Sequence, residues 1–340
     1  MEAIRIERPL LSVVTAAYNE EGNVTLVYER VKAVFAQLPE YDYEHIFIDN
    51  ASKDGTAAEL RGLAAKDPRV KVIINVRNFG HIRSPFHGLM QASGAAVISV
   101  VADLQDPPEM IPQFIEKWRE GFKVVMAVKK TSEETAAMFA VRRAYYNFVA
   151  MVSDVKLVRN ATGFGLYDRE VMEQLRALND PYPYFRGLVA ELGWEPALIP
   201  YDQPTRKRGI TKNNFLSLYD MGMLGIVSHS RIPLRLATMF GFAASAFSFL
   251  LAVGYFIAKL VFWNDFSLGM APIAIGLFFF SSVQLFFIGV IGEYLGFAYT
   301  QILKRPLVVE KERINFSAPK PRPMPLGDDP NRLGQRQANP

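Results

Sequence analysis

Residues 95–109 read AAVISVVADLQDPPE, an apolar run of strand length that ends abruptly in Asp103-Leu104-Gln105-Asp106 and a proline pair. An uninterrupted apolar strand suits the middle of a parallel sheet, and in open α/β sheets ligands bind beyond the carboxyl ends of the strands. The pattern repeats along the first third of the chain. Leu11 to Ala16 leads into Tyr18-Asn19-Glu20-Glu21, and His45 to Ile48 into Asp49-Asn50-Ala51-Ser52-Lys53-Asp54-Gly55. Val70 to Val76 leads into Asn78-Phe79-Gly80-His81, and a fifth run lies at Lys123 to Val128. Helix-like stretches separate these runs at Val24–Gln37, Thr56–Ala65, Ser84–Ala92 and Glu109–Glu120. This alternation predicts an α/β fold of βαβ units with right-handed crossovers, and it brings four polar strand ends to one crevice.

Within that crevice Asp103 and Gln105 are two residues apart, so in an extended segment both side chains point to the same side. Their oxygens suit Mg²⁺ or Mn²⁺, which at phosphate-transfer sites often take one or two protein ligands and complete the shell with phosphate and water. Asp106, just before Pro107-Pro108-Glu109, reads as a helix cap. Asp49 stands where an acid grips a ribose or base in doubly wound nucleotide-binding folds. The glycine-rich dinucleotide fingerprint is missing after the first strand, which excludes NAD, and no Walker A sequence occurs. Gly163-Phe164-Gly165 carries only two of the required glycines and reads as a turn.

A length of 340 residues allows one large α/β domain and an appendage. The 38 Lys and Arg against 34 Asp and Glu leave a net charge of only +4, without a basic stripe interleaved with aromatics, which argues against nucleic acid as a partner. Cysteine is absent, so disulfides, thiolate metal sites and a cysteine nucleophile are excluded. Met1 to Leu10 carries Glu2, Arg5, Glu7 and Arg8 and lacks a signal-peptide core, so the catalytic part is expected to begin in the cytosol.

The last third differs. Ala237 to Ala258 is uncharged over roughly 22 residues, about 33 Å of helix against a hydrocarbon core of about 30 Å. A second uncharged run extends from Phe266 to Gly292, and two spans in a hairpin are the simplest topology. Arg231 and Arg235 before the first run, and Lys304 and Arg305 after the second, put both outer flanks in the cytoplasm, with Lys259 snorkelling at the first span's end. Ahead of the first span Phe215, Leu218, Tyr219, Met223 and Ile226 recur at helical spacing, favouring an amphipathic interfacial helix over a core helix. Beyond Phe316, proline and charge predict a disordered tail. The expected organisation is a catalytic domain over 1–212, interfacial helices over 213–235, a transmembrane hairpin over 236–303 and a cytosolic tail over 304–340.

Together these motifs resemble the inverting family 2 glycosyltransferases of GT-A (Rossmann-like) fold, specifically the polyprenyl-phosphate glycosyltransferases related to dolichol-phosphate mannose synthase. The branch most similar is the bacterial polyprenyl-phosphate glucosyltransferases with two transmembrane helices. Asp103-Leu104-Gln105-Asp106-Pro107-Pro108-Glu109 looks like that branch, as do Gly292-Glu293-Tyr294-Leu295-Gly296 and Lys304-Arg305-Pro306, and the likeness runs to about Glu310. The resemblance implies that Tyr18, Asn19, Glu20, Asp49 and Asn78, with Asp103, hold the nucleotide-sugar, and that Asp103 and Gln105 are the metal ligands. The first acid of the family's Asp-x-Asp-x-Gln stretch is replaced by Val101. Arg206-Lys207-Arg208-Gly209-Ile210-Thr211-Lys212 resembles the family's Arg-x-x-Gly-x-Thr-Lys motif, which gives Arg206 and Lys212 roles beside Asp103 in catalysis and on the acceptor phosphate; alternatively, the segment is a juxtamembrane patch for anionic lipid. Lys129, Arg142 and Arg143 form a second set for that phosphate, with a solvated helix face as the other reading of the arginines. Glu293 reads as an interface carboxylate without chemistry.

Relatives carry an acid where this chain has Gly163, before the Asp168-Arg169 pair. The nucleophile, a phosphate oxygen already ionised near neutral pH, needs little general base. The resemblance thus implies transfer of a sugar, glucose from UDP-glucose before UDP-GlcNAc or GDP-mannose, to undecaprenyl phosphate with inversion. It also implies a multi-pass protein of the bacterial inner membrane, its catalytic domain cytoplasmic and its assembly a homo-oligomer, with a tetramer as the state the branch suggests. A non-catalytic nucleotide- or lipid-binding membrane scaffold is the competing class. A processive polysaccharide synthase is disfavoured, because its Gln-x-x-Arg-Trp motif and additional spans are lacking.

Overall fold

The computed structural model describes residues 8–130, 158, 160–204, 232–261, 270–303 and 305–316. The four leading runs form β1 (Leu10–Ala17), β2 (Asp42–Asp49), β3 (Val70–Asn75) and β4 (Ala96–Val101), joined by α1 (Asn23–Phe35), α2 (Thr56–Lys66) and α3 (Gly80–Met90). Then follow a short 3₁₀ turn at Pro108–Met110, α4 (Ile111–Arg119) and β5 (Val124–Lys129). β6 (Ala161–Asp168), α5 (Arg169–Leu178), α6 (Phe185–Glu191) and β7 (Pro196–Tyr201) complete the domain's first pass. α7 (Ile232–Val261), α8 (Met270–Leu303) and β8 (Glu310–Ile314) end the described chain.

All eight strands belong to one sheet in the order β7-β5-β6-β4-β1-β2-β3-β8. β1 pairs in parallel with β2 and β4, and β2 with β3, as buried apolar runs require. Side chains alternate across this centre: Val13 packs with Val31 of α1 and Phe114 of α4, while Val14 packs with Ile48 and Phe86 on the α3 face. A third cluster, including Phe47, Leu60 and Tyr28, fills the space under α1 and α2.

The expectation of βαβ units holds only for this centre. β6 runs antiparallel to both β4 and β5, and it contains Gly163-Phe164-Gly165, which is therefore a strand segment and not a turn. Gly165 makes the close pairing with β5 possible, since a Cβ there would lie 2.1 Å from the Val125 carbonyl oxygen. Phe164 is buried, edge-on to Phe114 at 4.9 Å and Tyr201 at 5.8 Å.

A second correction concerns the segment from 304 onward. Rather than being tail throughout, it returns to the catalytic sheet as β8, antiparallel to β3. Charged side chains dock it: Glu312 pairs with Arg61 at 2.7 Å, and Glu310 pairs with Arg313 at 2.7 Å and with His87 at 2.6 Å. An edge strand rich in charge resists pairing with other chains, which explains why β8 lacks an apolar signature. Burial pushes the Glu310 carboxyl up, but hydrogen bonds from Arg313 and His87 outweigh it and hold the group at about 2, against an ordinary 4.5. A depressed carboxyl contributes stability above its unfolded value, lost as pH falls through the window from 4.5 to about 2. Glu310→Gln is thus expected to flatten that acid limb and to cost about 1 kcal/mol at neutral pH once solvent screening is allowed for. Thermal unfolding in one detergent across pH tests this, and an unchanged acid limb would contradict it.

α7 and α8 contain the two apolar stretches Ile232–Ala258 and Phe279–Leu303, each long enough to cross a membrane. The first contains the predicted span; the second lies further along the chain than the predicted 266–292. Large apolar side chains such as Phe242, Phe249, Leu285 and Ile302 are about two-thirds or more exposed, which suits lipid contact and suggests membrane association. At its far end α8 is tied to the sheet domain by Gln301, whose amide donates to Asp180 at 2.9 Å. Residues 213–231, where an interfacial helix is expected, and those beyond 316 lie outside the described residues.

Candidate active site

β1 and its neighbours end level with one another: Ala17 pairs with Asp49 of β2, and Ala16 with Val101 of β4. The chain turns sharply there, since Asn19, Ala51 and Leu104 all adopt positive φ, at 56°, 60° and 62°. Such backbone is rare for residues with a Cβ, and it clusters at functional sites.

The first two loops brace each other. Asn19 N–H donates to Ser52 Oγ at 2.8 Å, and Asn19 Oδ1 accepts from Lys53 N–H at 2.8 Å. Glu20 N–H donates to Thr56 Oγ1 at 2.9 Å, and the Glu20 carboxylate accepts from Asn23 Nδ2 at 2.7 Å. Asn19 thereby fixes loop shape, with its amide oxygen facing the neighbouring loop. Tyr18 is half-buried beside it. Asp49 is fully buried and accepts from the Ser52 hydroxyl and N–H. Burial raises its pKa, with the Ser52 hydrogen bonds opposing.

Asn50 is a residue the sequence reading passed over. Its Nδ2 donates to Asn78 Oδ1 at 2.9 Å and to Gly80 O at 3.1 Å, and its Oδ1 accepts from Phe79 N–H at 2.9 Å and Asn75 Nδ2 at 3.2 Å. Asn78 accepts in addition from Gly80 N–H at 2.7 Å, so it shapes the start of α3. One buried amide thus pins the third loop to the second. Its position directly after Asp49 was the available signal. Asn50→Ala is expected to raise KM for the donor about tenfold with a smaller change in kcat. Steady-state kinetics decides, and an unchanged KM would show that the loop holds its shape without this brace.

On the other side of β1 the geometry departs from expectation in two ways. β4 ends at Val101, and the left-handed Leu104 makes residues 102–105 a turn, closed by Gln105 N–H donating to Asp103 Oδ1 at 3.1 Å. Asp103 and Gln105 are therefore neighbours across a turn and not along a strand. Asp106 is no cap: the helical turn that follows has Pro107 at its N-cap without a side-chain hydrogen bond. Its carboxyl is buried beneath the turn, 3.2 Å from the Tyr201 hydroxyl. Burial first, and then the charge of Asp103, push the Asp106 pKa up to about 7, with Tyr201 and Lys129 opposing.

Lys129 ends β5 in register with Tyr201 of β7, which puts a cation on the Asp103–Asp106 side. Tyr201 was missed because its strand, PALIPY, contains two prolines; an edge strand tolerates them. Arg142, Arg143, Arg206 and Lys212 lie outside the described residues.

Among the described residues no three His, Cys, Asp or Glu side chains gather as a self-sufficient metal site. With Asp106 turned towards Tyr201, the expected ligands that could hold a cation are the Asp103 carboxylate and the Gln105 amide. That oxygen-only pair fits Mg²⁺ or Mn²⁺ provided that a diphosphate supplies further ligands.

The family model described as glycosyl transferase family 2 matches residues 12–176. The bactoprenol glucosyl transferase of Shigella phage SfII is 35% identical over 304 residues, covering 89% of this chain and 97% of its own. The uncharacterized glycosyltransferase YkcC of Bacillus subtilis (strain 168) is 36% identical over 305 residues, covering 88% and 92%. A solved mannosyltransferase from Pyrobaculum calidifontis, in complex with GDP-Man and Mn²⁺, aligns over 88% of this chain and 87% of its own at 15% identity and a TM-score of 0.40, too slight a likeness to build on. The kinship with the bactoprenol enzymes spans both chains almost end to end, and the family model covers the strand-end loops of the candidate site. This chain is a glycosyltransferase of GT-A fold and belongs to glycosyltransferase family 2, in the branch of the bactoprenol glucosyl transferases.

Proposed function

We propose that the protein transfers glucose from UDP-glucose to a polyprenyl phosphate, undecaprenyl phosphate in a bacterial inner membrane, with inversion at the anomeric carbon. The observation that carries this reading is one sheet edge shared by a buried acid on the nucleoside side, Asp49, and a half-buried acid over a left-handed turn, Asp103, in a chain whose two long apolar helices return to the same sheet through β8. A lipid acceptor would meet a nucleotide-sugar there without leaving the bilayer surface. The related bactoprenol glucosyl transferases support the acceptor class and the sugar.

Asp49 would hold the ribose or base, with Asn50 and Asn78 keeping the adjoining loop in place. Asp103 and Gln105 would hold Mg²⁺ or Mn²⁺, which when bound neutralises charge on the departing diphosphate. Lys129, with the arginines and lysine of 142–143 and 206–212, would orient the acceptor phosphate. One phosphate oxygen forms the new bond to the anomeric carbon as the bond to the nucleoside diphosphate breaks. The phosphate is ionised near pH 7, so no proton has to be removed, and positioning and charge supply the acceleration. Gly163, at φ +95° within β6, offers no carboxylate, which suits a nucleophile of that kind.

A panel of UDP- and GDP-sugars incubated with the detergent-purified protein tests the donor assignment. Release of nucleoside diphosphate from UDP-glucose alone, dependent on undecaprenyl phosphate and abolished by a chelator, is expected. Preference for UDP-GlcNAc or GDP-mannose would overturn the sugar, and chelator-resistant release would overturn the metal.

A further inference from the structure

β8 is held to the helices beside it by polar pairs, Glu312 with Arg61 of α2 and Glu310 with His87 of α3, while Arg313 of β8 also bonds Glu310. The start of α3, next to the end of α8, is different. The Arg77 guanidinium lies 4.0 Å from the centre of the Phe79 ring, and that of Arg83 lies 5.6 Å from the same ring. Arg77 donates to the Asn78 carbonyl at 3.1 Å, and Arg83 donates to the carbonyl of Pro306, three residues beyond the end of α8. Arg83 Nε is buried with no partner. Burial first, and then the charges of Arg77 and Arg305, lower the Arg83 pKa. Among the described residues, no carboxylate pairs with any of these three arginines.

We propose that Arg77, Arg83 and Arg305 form a binding site for the phosphate of an anionic phospholipid, seating the catalytic domain on the membrane where α8 leaves the hydrocarbon. The inference rests on the reading of α8 as a membrane span. Two guanidinium forks on one aromatic ring, anchored only to neutral carbonyls, keep donors available for phosphate oxygens, and like charges so gathered favour an anion between them. The depth is set by the Arg83 bond to Pro306, which holds α3 next to the exit of the helix. A headgroup phosphate lies at that level.

The acceptor's phosphate is a poorer occupant. Lys129 is on β5, and β6, β4, β1 and β2 intervene before β3, so the two positions are about 24 Å apart at the usual strand spacing. The donor's diphosphate belongs near Asp103, in the turn that follows β4, and β4 is three strands away from β3.

The test uses the full chain in a neutral detergent, with the thermal unfolding midpoint followed while phosphatidylglycerol or phosphatidylcholine is added. Phosphatidylglycerol, and not phosphatidylcholine, is expected to stabilise the wild type. Arg77→Gln should weaken that response about fivefold in lipid concentration, and Arg77→Gln with Arg83→Gln roughly 30-fold. Stabilisation by UDP-sugar and by undecaprenyl phosphate should be unchanged in both. Arg77 is exposed, so its single variant keeps the test available if the double variant fails to fold. An undiminished phosphatidylglycerol response in Arg77→Gln would overturn the site. So would a loss confined to UDP-sugar or to undecaprenyl phosphate, which would reassign the arginines to the donor or the acceptor. Extraction of the wild type from vesicles by alkaline carbonate would instead overturn the spanning reading, so the two failures are distinguishable.

Discussion

Exchange of Asp103 for asparagine is expected to lower sugar transfer by roughly 10²–10³-fold while leaving the unfolding midpoint unchanged. The side chain is half-buried on a turn and belongs to none of the three packed clusters. Its acceptor role towards Gln105 N–H, which closes the turn, survives in an amide oxygen. What the variant removes is a negative charge where a cation and a leaving diphosphate are to be stabilised. Turnover measured across a Mn²⁺ titration, beside a melting curve of the same preparation, separates the site from the fold. Wild-type activity in this variant would take Asp103 out of the mechanism.

The largest stability effect is expected at Gly165. A Cβ there would sit 2.1 Å from the Val125 carbonyl oxygen and 3.1 Å from Met126 Cα, both of them backbone atoms of β5 that cannot move aside as a side chain would. Gly165→Ala should therefore cost about 3 kcal/mol or more, as over-packing between backbones does. Gly62, in α2, provides the control, since no atom lies within 4 Å of its would-be Cβ. Gly62→Ala should stabilise by up to about 1 kcal/mol through helix propensity. Thermal denaturation of the two variants in one detergent tests the pair; equal midpoints would mean that β5 and β6 are less closely apposed than described.

Gly165 also shows why part of the fold was hidden in the sequence. β1 to β4 were legible because central parallel strands must be apolar on both faces, and their polar ends marked Asp49 and Asp103. β6 carries glycines where close pairing and a φ of +95° at Gly163 require them, and it reads as a turn to any rule based on hydrophobicity. β7 is masked by Pro196 and Pro200, and β8 by the charges that edge strands carry. Each of the three is recognised by its partner strand, which is information from far along the chain.

The site shows the same division. Acids at strand ends follow from local pattern, whereas the roles of their neighbours depend on tertiary contacts. Asp106, beside two prolines, has the local signature of a cap, yet Tyr201, distant in sequence, draws it beneath the turn. Asn50 reads as one more polar loop residue until its four hydrogen bonds tie two loops together. The left-handed Leu104 converts a strand spacing into a turn, so Asp103 and Gln105 come together by a geometry that alternation does not foresee.

The most direct test of the central claim follows labelled sugar from UDP-glucose into an organic extract, with purified protein, divalent cation and undecaprenyl phosphate. The account predicts label in the lipid phase only when the lipid phosphate is present, released again by mild acid as expected of a sugar joined through phosphate. Label that remains in the aqueous phase, as intact donor or as free sugar, under conditions where the protein binds the nucleotide would contradict it.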